Sequence, residues 1–374
     1  MVYYGIRHQY GIENSMSDPF HGWMDHPADE GDIRKIVLGY ALLAPSPHNI
    51  QPCVVEFVGP GRIHLYIDTA RLLPACDPDY RMIYISHGAF IENLDIAARN
   101  FGYKTDIYLF PGGWPGRDLV VDTPVAAIDL IEDPDSIKDP LFNSIPERES
   151  NKRPFKRAHL SMEQITALSD AYDSSYIPIS LASDPDMCRM IAGYIVQAFE
   201  IDIYGKERLA EILHNFRFSK QELEKHRDGS GIAQSGITGI GRILYKCLFP
   251  SREKAASRGN GFATDAVKRT RKQAFSASCF GWISTKGNTR LDQVKAGRSY
   301  ERVCLKVSEL GLAIQPFSQI LAQYPEMKDL NDDFREFLGI SETHTLQMLF
   351  RIGFAHPVPH SPRRPLGDFI RQKT

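Results

Sequence analysis

Several features that would settle the class of this 374-residue chain are missing. No apolar run can span a bilayer. The longest, 36–45, is broken by Gly39 and Tyr40, and about 20 residues are needed. Residues 1–27 show no basic segment followed by an apolar run, so no signal peptide is expected. Neither charge sign dominates: 44 Lys and Arg stand against 46 Asp and Glu, net −2. That gives no broad surface for nucleic acid or an anionic membrane, and any anion site must be local. Cysteine is scarce. Cys53, Cys76, Cys188, Cys247, Cys279 and Cys304 form no C-x-x-C and sit in apolar contexts, which reads as buried, inert thiols in a reducing, cytoplasmic setting. His8, His21, His26, His356 and His360 fit no H-E-x-x-H or Cys/His finger, so no metal site is expected. Ser251 and Lys254 have the S-x-x-K spacing, but no S-D-N or K-T-G completes it. Gly236, Gly239 and Gly241 miss the G-x-G-x-x-G spacing of a dinucleotide fold.

What is present is a globular composition, 43% hydrophobic and 24% charged, with length for a large core. Residues 1–28 are aromatic, His-rich and aperiodic, and read as an arm. Asp32 is placed as the N-cap of a helix that carries Ile33, Ile36, Val37, Tyr40 and Ala41 and stops at Pro45. Residues 53–58 and 63–68 read as strands around Gly59-Pro60-Gly61. A long helix spans 83–101 and closes at Gly102. Strands follow at 104–110 and 125–131. The second half predicts helices at 162–172, 185–204 and 292–310, and strands at 278–285 and 345–353. Helices and hairpins mix, so the class is α+β rather than regular βαβ. Residues 205–270 are Gly-rich, then basic (Arg252, Lys254, Arg258, Lys268, Arg269, Arg271, Lys272). They read as an insertion, either a lid-like binding element or a solvated helical excursion.

An internal echo divides the chain. Gly88, Glu92 and Gly102 reappear as Gly297, Glu301 and Gly311, since 297 − 88, 301 − 92 and 311 − 102 each give 209. Ile91/Tyr300, Leu94/Val303 and Ile96/Leu305 keep the apolar register. This predicts two related halves, 29–145 and 146–374, fused as a pseudo-dimer.

Three segments carry chemistry. In Ala44-Pro45-Ser46-Pro47-His48-Asn49-Ile50-Gln51-Pro52, prolines stiffen a loop that offers hydrogen bonds from Ser46, His48, Asn49 and Gln51. It suits a flavin edge or a turn that caps itself. Residues 147–155, ERESNKRPF, concentrate Arg148, Asn151, Lys152 and Arg153, a set suited to a phosphate or to a solvated loop. Arg351-Ile352-Gly353-Phe354 precedes a Pro-rich run that delivers Arg363 and Arg364 to a fixed place, or links to a partner.

With these residues in view, a family resemblance emerges. APSPHNIQP resembles the flavin-contacting APS-x-N-x-QP signature of nitroreductases, and its HN spelling resembles the Acg-like branch. Ala70-Arg71-Leu72-Leu73-Pro74, Asp77-Pro78-Asp79-Tyr80-Arg81 and ISHGAFIENLDIAARNFGY are similar to that branch's R-x-L-P, DP-x-x-R and central-helix elements. ERESNKRPF, QMLFRIGFA and SPRRPL resemble its RRTNR-x-PF, RIGYA and PRRPL segments. The matches run in order from Ala44 to Leu366. The resemblance implies a nitroreductase-like fold with FMN held between the halves. Ser46, His48, Asn49 and Gln51 would face the ring and ribityl chain. Arg148, Asn151 and Arg153 would hold the phosphate together with Arg363 or Arg364. Gln315, Pro316, Phe317 and Ser318 would bring backbone N–H groups to the ring. No side chain is assigned a catalytic role, because the flavin carries the chemistry. Cys53 stands where the family has Trp, and Glu149 and Ser150 depart from RRTNR.

The implied activity passes electrons from NAD(P)H, a transient donor, through FMN to a small nitro, quinone or enone acceptor. The alternatives are FMN storage under a lid without turnover, or flavin-dependent tailoring of an unusual substrate. The expected partners are small molecules, with no nucleic acid and no membrane, and the chain would be a monomer (a pseudo-dimer) or a homodimer.

Overall fold

The computed structural model describes residues 31–171, 175–257 and 261–371. The expected arm at 1–28, with His8, His21 and His26, lies outside them, as does Arg258.

The first unit starts with α1 (Ile33–Ala41), whose N-cap Asp32 accepts from the Arg34 N–H as the sequence predicts. β1 (Cys53–Phe57) and β2 (Arg62–Ile67) form an antiparallel hairpin. The long helix α2 (Arg81–Asn100) follows, and then β3 (Tyr103–Leu109) and β4 (Ala126–Glu132). The sheet order is β1-β2-β4-β3. One face of this sheet packs Val55, Ile63, Leu65, Ile128 and Leu130 into a core with α1 and α2. Its other face meets solvent in places, so β3 alternates between half-buried and exposed residues.

The second unit runs α3 (Met162–Ser169) and β5 (Ile179–Ala182). After α4 (Pro185–Tyr204) comes the insertion: α5 (Lys206–Asn215), β6 (Phe216–Arg217), α6 (Lys220–His226), β7 (Ser230–Gly231), α7 (Ile240–Leu248), α8 (Arg252–Ser257) and α9 (Gly261–Ala274). The unit closes with β8 (Cys279–Lys286), α10 (Arg290–Glu309), β9 (Ala313–Pro316), α11 (Lys328–Phe337) and β10 (His344–Gly353). Its sheet order is β5-β8-β10-β9, antiparallel throughout. With α4, the insertion and α11 set aside, helix–strand–strand–helix–strand–strand occurs twice, and the two sheets have the same strand order. This sheet is covered on both faces. Phe280, Trp282, Leu346 and Leu349 pack against α4 and α11, while Ile283, Met348, Phe350 and Ile352 pack against α10. Double coverage explains why β8 and β10 read as nearly continuous apolar runs. Leu346 and Leu349 share a face although one is even and one odd, because a bulge between Leu346 and Met348 shifts the pleat.

The two units meet through α2 and α10, which cross with Gly88 against Gly297. Gly102 and Gly311 end these helices at φ +80° and +65°, the left-handed C′ position that glycine takes without strain. Arginines bridge the units. Arg81 donates to the carbonyls of Leu321 and Gln347, and Arg290 to those of Asp79, Arg117 and Asp118. The end of the chain returns to the first unit, where Arg371 N–H donates to Val55 O at 2.8 Å and covers the β1 edge. The insertion has its own aromatic core of Phe216, Phe218, Tyr245, Phe249 and Phe262. Five cysteines are buried as expected, but Cys247 on α7 is exposed, because α7 turns that face outward. No described helix is long and apolar enough to cross a membrane.

Candidate functional site

The loop between α1 and β1 is held in an unusual shape. His48, Asn49 and Gln51 have φ of 48°, 56° and 54°, three of the six non-glycine residues with positive φ among those described. Such conformations persist only where surroundings over-determine them, and here they do. Asn49 Nδ2 donates to Gly229 O and Pro362 O, and its Oδ1 accepts from Arg363 Nη1 at 2.7 Å. Gln51 Nε2 donates to Arg227 O, its Oε1 accepts from the Arg364 N–H, and its backbone N–H donates to the Ser46 hydroxyl oxygen. Arg71 donates to Ile50 O and pairs with Asp228 at 2.7 Å. The loop is therefore fastened on one side to the insertion and on the other to the C-terminal segment.

Beside this loop lies a cavity of about 330 Å³, within the ~300–1,000 Å³ typical of small-molecule sites. Its wall comes from the loop 45–49, the start of α2, segment 148–152, residues 315–319 and 358–363, and the insertion. Of the residues expected from sequence, Ser46, His48, Asn49, Arg148, Gln315, Pro316, Phe317, Ser318 and Arg363 line it together. Gln51, Asn151, Arg153 and Arg364 stand behind the wall. Asn151 donates to Glu149 and His356 O and caps the Arg153 N–H. Arg364 donates to Gln51 O and Cys53 O. The Phe317 N–H, expected to face a ring, is bonded to Leu349 O at 2.8 Å.

The lining is rich in cations. Arg148, Lys152, Arg269 and Arg363 border the cavity, facing Glu149 and Asp202. Burial raises both carboxyls, Glu149 to about 7 and Asp202 to about 6, which weakens the negative contribution near neutrality. Burial, and then the neighbouring Arg269, lowers Lys152. Burial, and then Arg148, pulls Arg363 well down. His48 is held near 4 by burial and Lys152, and His360 near 3 by burial, Arg148 and Arg363, so both imidazoles are neutral. Cations that depress one another in this way mark a site suited to an anion.

Each arginine also has a structural task. The guanidinium of Arg363 donates to the carbonyls of Leu42, Leu43 and Ala44, and Arg148 Nη2 to Leu43 O at 3.1 Å. Together they satisfy the carbonyls of the turn that follows α1. Arg148 is backed by Glu301 at 3.6 Å, a fully buried carboxylate. The sequence does not point to Glu149, Arg269, Gln273, Asp202 or His360 as site members, and it names Lys152 in the phosphate-suited run but not among the implied phosphate ligands. Arg269 was visible only as part of a basic run. Arg351 was seen only as part of a motif. It lies fully buried over the Phe155 ring at 3.6 Å and donates to Gln315 Oε1, Ser276, Gln273 O and Arg153 O, fixing Gln315 in the wall.

No family model matches the chain. It is 24% identical over 348 residues, 91% of this chain and 92% of the relative, to a Mycobacterium tuberculosis protein named "Putative NAD(P)H nitroreductase". It is also 24% identical over 341 residues, 88% of this chain and 90% of the relative, to an uncharacterized protein of the same organism. Among solved structures it is similar to the FMN-dependent nitroreductase NfnB from Mycobacterium smegmatis in complex with NADPH. There the identity is 16% and the TM-score 0.38, over 62% of this chain and 97% of that one. It is also similar to a Bacteroides fragilis nitroreductase with bound FMN, at 13% identity and TM-score 0.32, over 59% and 90%.

Proposed function

We propose that this chain is a nitroreductase-like oxidoreductase of the Acg-like branch that holds FMN in the composite cavity. It would take electrons from NAD(P)H and pass them to a small nitro, quinone or enone acceptor. The observation that carries the reading is the meeting of the strained loop 46–49 with the cations of 148–152 and 363 around one cavity. The near full-length likeness to a protein named for NAD(P)H nitroreduction supports it.

The lining fits the cofactor in size and in donor set. FMN supplies two-electron transfer chemistry when bound. The protein's share is to bind and orient. Lys152, Arg148 and Arg363 offer positive charge for a phosphate. Asn49 and the neutral His48 and His360 offer polar contacts without adding charge. Gln315, held by Arg351 and Gln273, presents a fixed amide, and Phe317 and Met348 give an apolar wall. Gln51, Asn151, Arg153 and Arg364 serve by bracing these residues. The chain would act as a monomer built of two related halves, or as a homodimer.

One observation favours a second reading, storage of FMN without turnover. The insertion contributes Phe216, Gln234, Ser235, Phe262 and Arg269 to the cavity wall and is tied to the loop through residues 227–229. A wall fastened in this way would leave less room for nicotinamide.

The test is the visible absorption spectrum of the purified chain, with released flavin counted per polypeptide. One FMN per chain, bleached by NAD(P)H and restored by a quinone, is expected for the oxidoreductase. One FMN that NAD(P)H does not bleach would select storage. No flavin, even with excess FMN, would overturn both.

A further inference from the structure

Helix α7 shows an apolar stripe to solvent. Ile240, Ile243, Leu244 and Leu248 are 75%, 64%, 58% and 47% exposed, and Cys247 between them is exposed too. Their spacing, i, i+3, i+4, i+7 and i+8, defines one helical face. The opposite face is anchored: Tyr245 is buried against Phe216, Phe249 and Phe262, and Arg242 Nε donates to Ile237 O at 2.8 Å. The helix is thus seated, and its aliphatic face is turned outward rather than left over from a loose segment. Four exposed aliphatic side chains on nine residues are more than a soluble surface carries without use.

The charge around the stripe is net positive: residues 229–257 hold Arg242, Lys246, Arg252 and Lys254 against one acid, Glu253. In a chain of net charge −2, this is a local concentration of positive charge. Lys246 is exposed on the flank of the stripe, and Lys254 is exposed on α8. An apolar face with a basic border matches a surface that is apolar inside and anionic at its rim. A second copy of the chain fits less well, because pairing the α7 stripe with itself would put Lys246 of both copies on the rim of one interface.

We propose that α7 docks on an anionic lipid surface, with Ile240, Ile243, Leu244 and Leu248 entering the acyl boundary and the exposed Lys246 and Lys254 facing the headgroups. The same segment reaches the cavity. Gln234 and Ser235 line it, and Gly236 sits so close to the Lys152 carbonyl that a Cβ there would lie 2.1 Å from the oxygen. Docking would therefore bring one wall of the cavity to the bilayer, a placement suited to an apolar acceptor dissolved in lipid.

Co-sedimentation of the full chain with phosphatidylglycerol vesicles, and in parallel with phosphatidylcholine vesicles, tests this. Binding to the anionic vesicles only, weakened by salt, is expected. Lys246→Ala should lower vesicle affinity about fivefold. Ile243→Asp combined with Leu244→Asp should lower it tenfold or more, roughly the worth of one aliphatic side chain kept in water. The thermal midpoint should be unchanged, since both side chains point outward. No binding to phosphatidylglycerol, equal binding to both vesicles, or full binding by the double variant would overturn the proposal. So would a dimer in solution that the double variant turns into a monomer, because the stripe would then belong to a second copy.

Discussion

Gly88 and Gly297 face each other at the centre of the molecule. A Cβ on Gly88 would lie 2.0 Å from Val294 O and 2.8 Å from Gly297 Cα, and a Cβ on Gly297 would lie 2.0 Å from Ile85 O. Every near atom is backbone, so no side chain can turn away. Each residue is the counterpart of the other in the sequence echo, and the crossing brings the two together. Gly88→Ala or Gly297→Ala must push α2 and α10 apart along their whole contact. We expect a loss of about 3 kcal/mol or more, at or beyond the upper end of ordinary overpacking. Urea denaturation at fixed pH measures it. A loss under about 1 kcal/mol would mean the helices do not pack this closely.

The next counterparts, Glu92 and Glu301, are both fully buried but differently served. Glu92 is bound by Arg298, Arg302 and Tyr176. Glu301 has Arg148 at 3.6 Å. Burial raises the Glu301 carboxyl from 4.5 to about 7 against the pull of Arg148. A pKa raised by folding favours the folded state while the group is protonated. The benefit is complete below about 4.5 and is lost as pH rises through about 7. At ~1.4 kcal/mol per pKa unit, and allowing for the coupling to Arg148, about 1–3 kcal/mol should disappear across that window. Glu301→Gln should remove this part of the pH dependence. Denaturation midpoints at pH 5 and pH 7.5 for both proteins decide it: equal losses would rule out a raised carboxyl at this position.

Much of the fold could be read from the residues because its signals are local. The alternation of Ile63, Leu65 and Ile67, the Asp32 cap, and Gly102 after a helical run act within a few residues. The strands in the middle of the chain were harder. Ile179–Ala182 and Ala313–Pro316 are four residues each and earn their place by pairing with β8 and β10, far away in sequence. The site divided in the same way. The loop 44–52 announced itself through its prolines and amides. The assignment of Arg153 to the lining and the omission of Lys152 could not be settled locally, since neighbours on an extended segment point to opposite sides. Which side faces the cavity depends on Ser150 and Asn151 pairing with Ile314.

Arg351 joins segments that the chain keeps far apart. It donates to Arg153 O, Gln273 O, Ser276 Oγ and Gln315 Oε1, and burial lowers it to about 9. Arg351→Met matches its length but leaves these acceptors buried without a donor. Each such acceptor costs ~1–3 kcal/mol, partly offset because a buried charge is also removed, so we expect a net loss of about 3 kcal/mol. Arg351→Lys should not rescue it, since a point ammonium cannot span a planar set of acceptors. Guanidinium unfolding of the three proteins tests both statements, and a lysine variant as stable as wild type would refute the second.

Lys152 and Arg153 are adjacent and both cationic, yet only Lys152 lines the cavity. No carboxylate pairs with Lys152 among the described residues, and Arg269 beside it adds positive charge. If this is where a phosphate is held, Lys152→Met removes a charge-assisted contact worth ~1.5–3 kcal/mol. The FMN dissociation constant should then rise about 10- to 150-fold. Riboflavin lacks the phosphate, and its affinity should not change. Arg153→Ala should weaken both ligands alike and more mildly, because its carbonyl anchors Arg351 through the backbone, which the substitution leaves in place. Quenching of flavin fluorescence in titrations of the three proteins with both ligands separates the two residues. If Lys152→Met weakens FMN and riboflavin equally, the phosphate lies elsewhere in the cavity, and Arg148 with Arg363 become the residues to test.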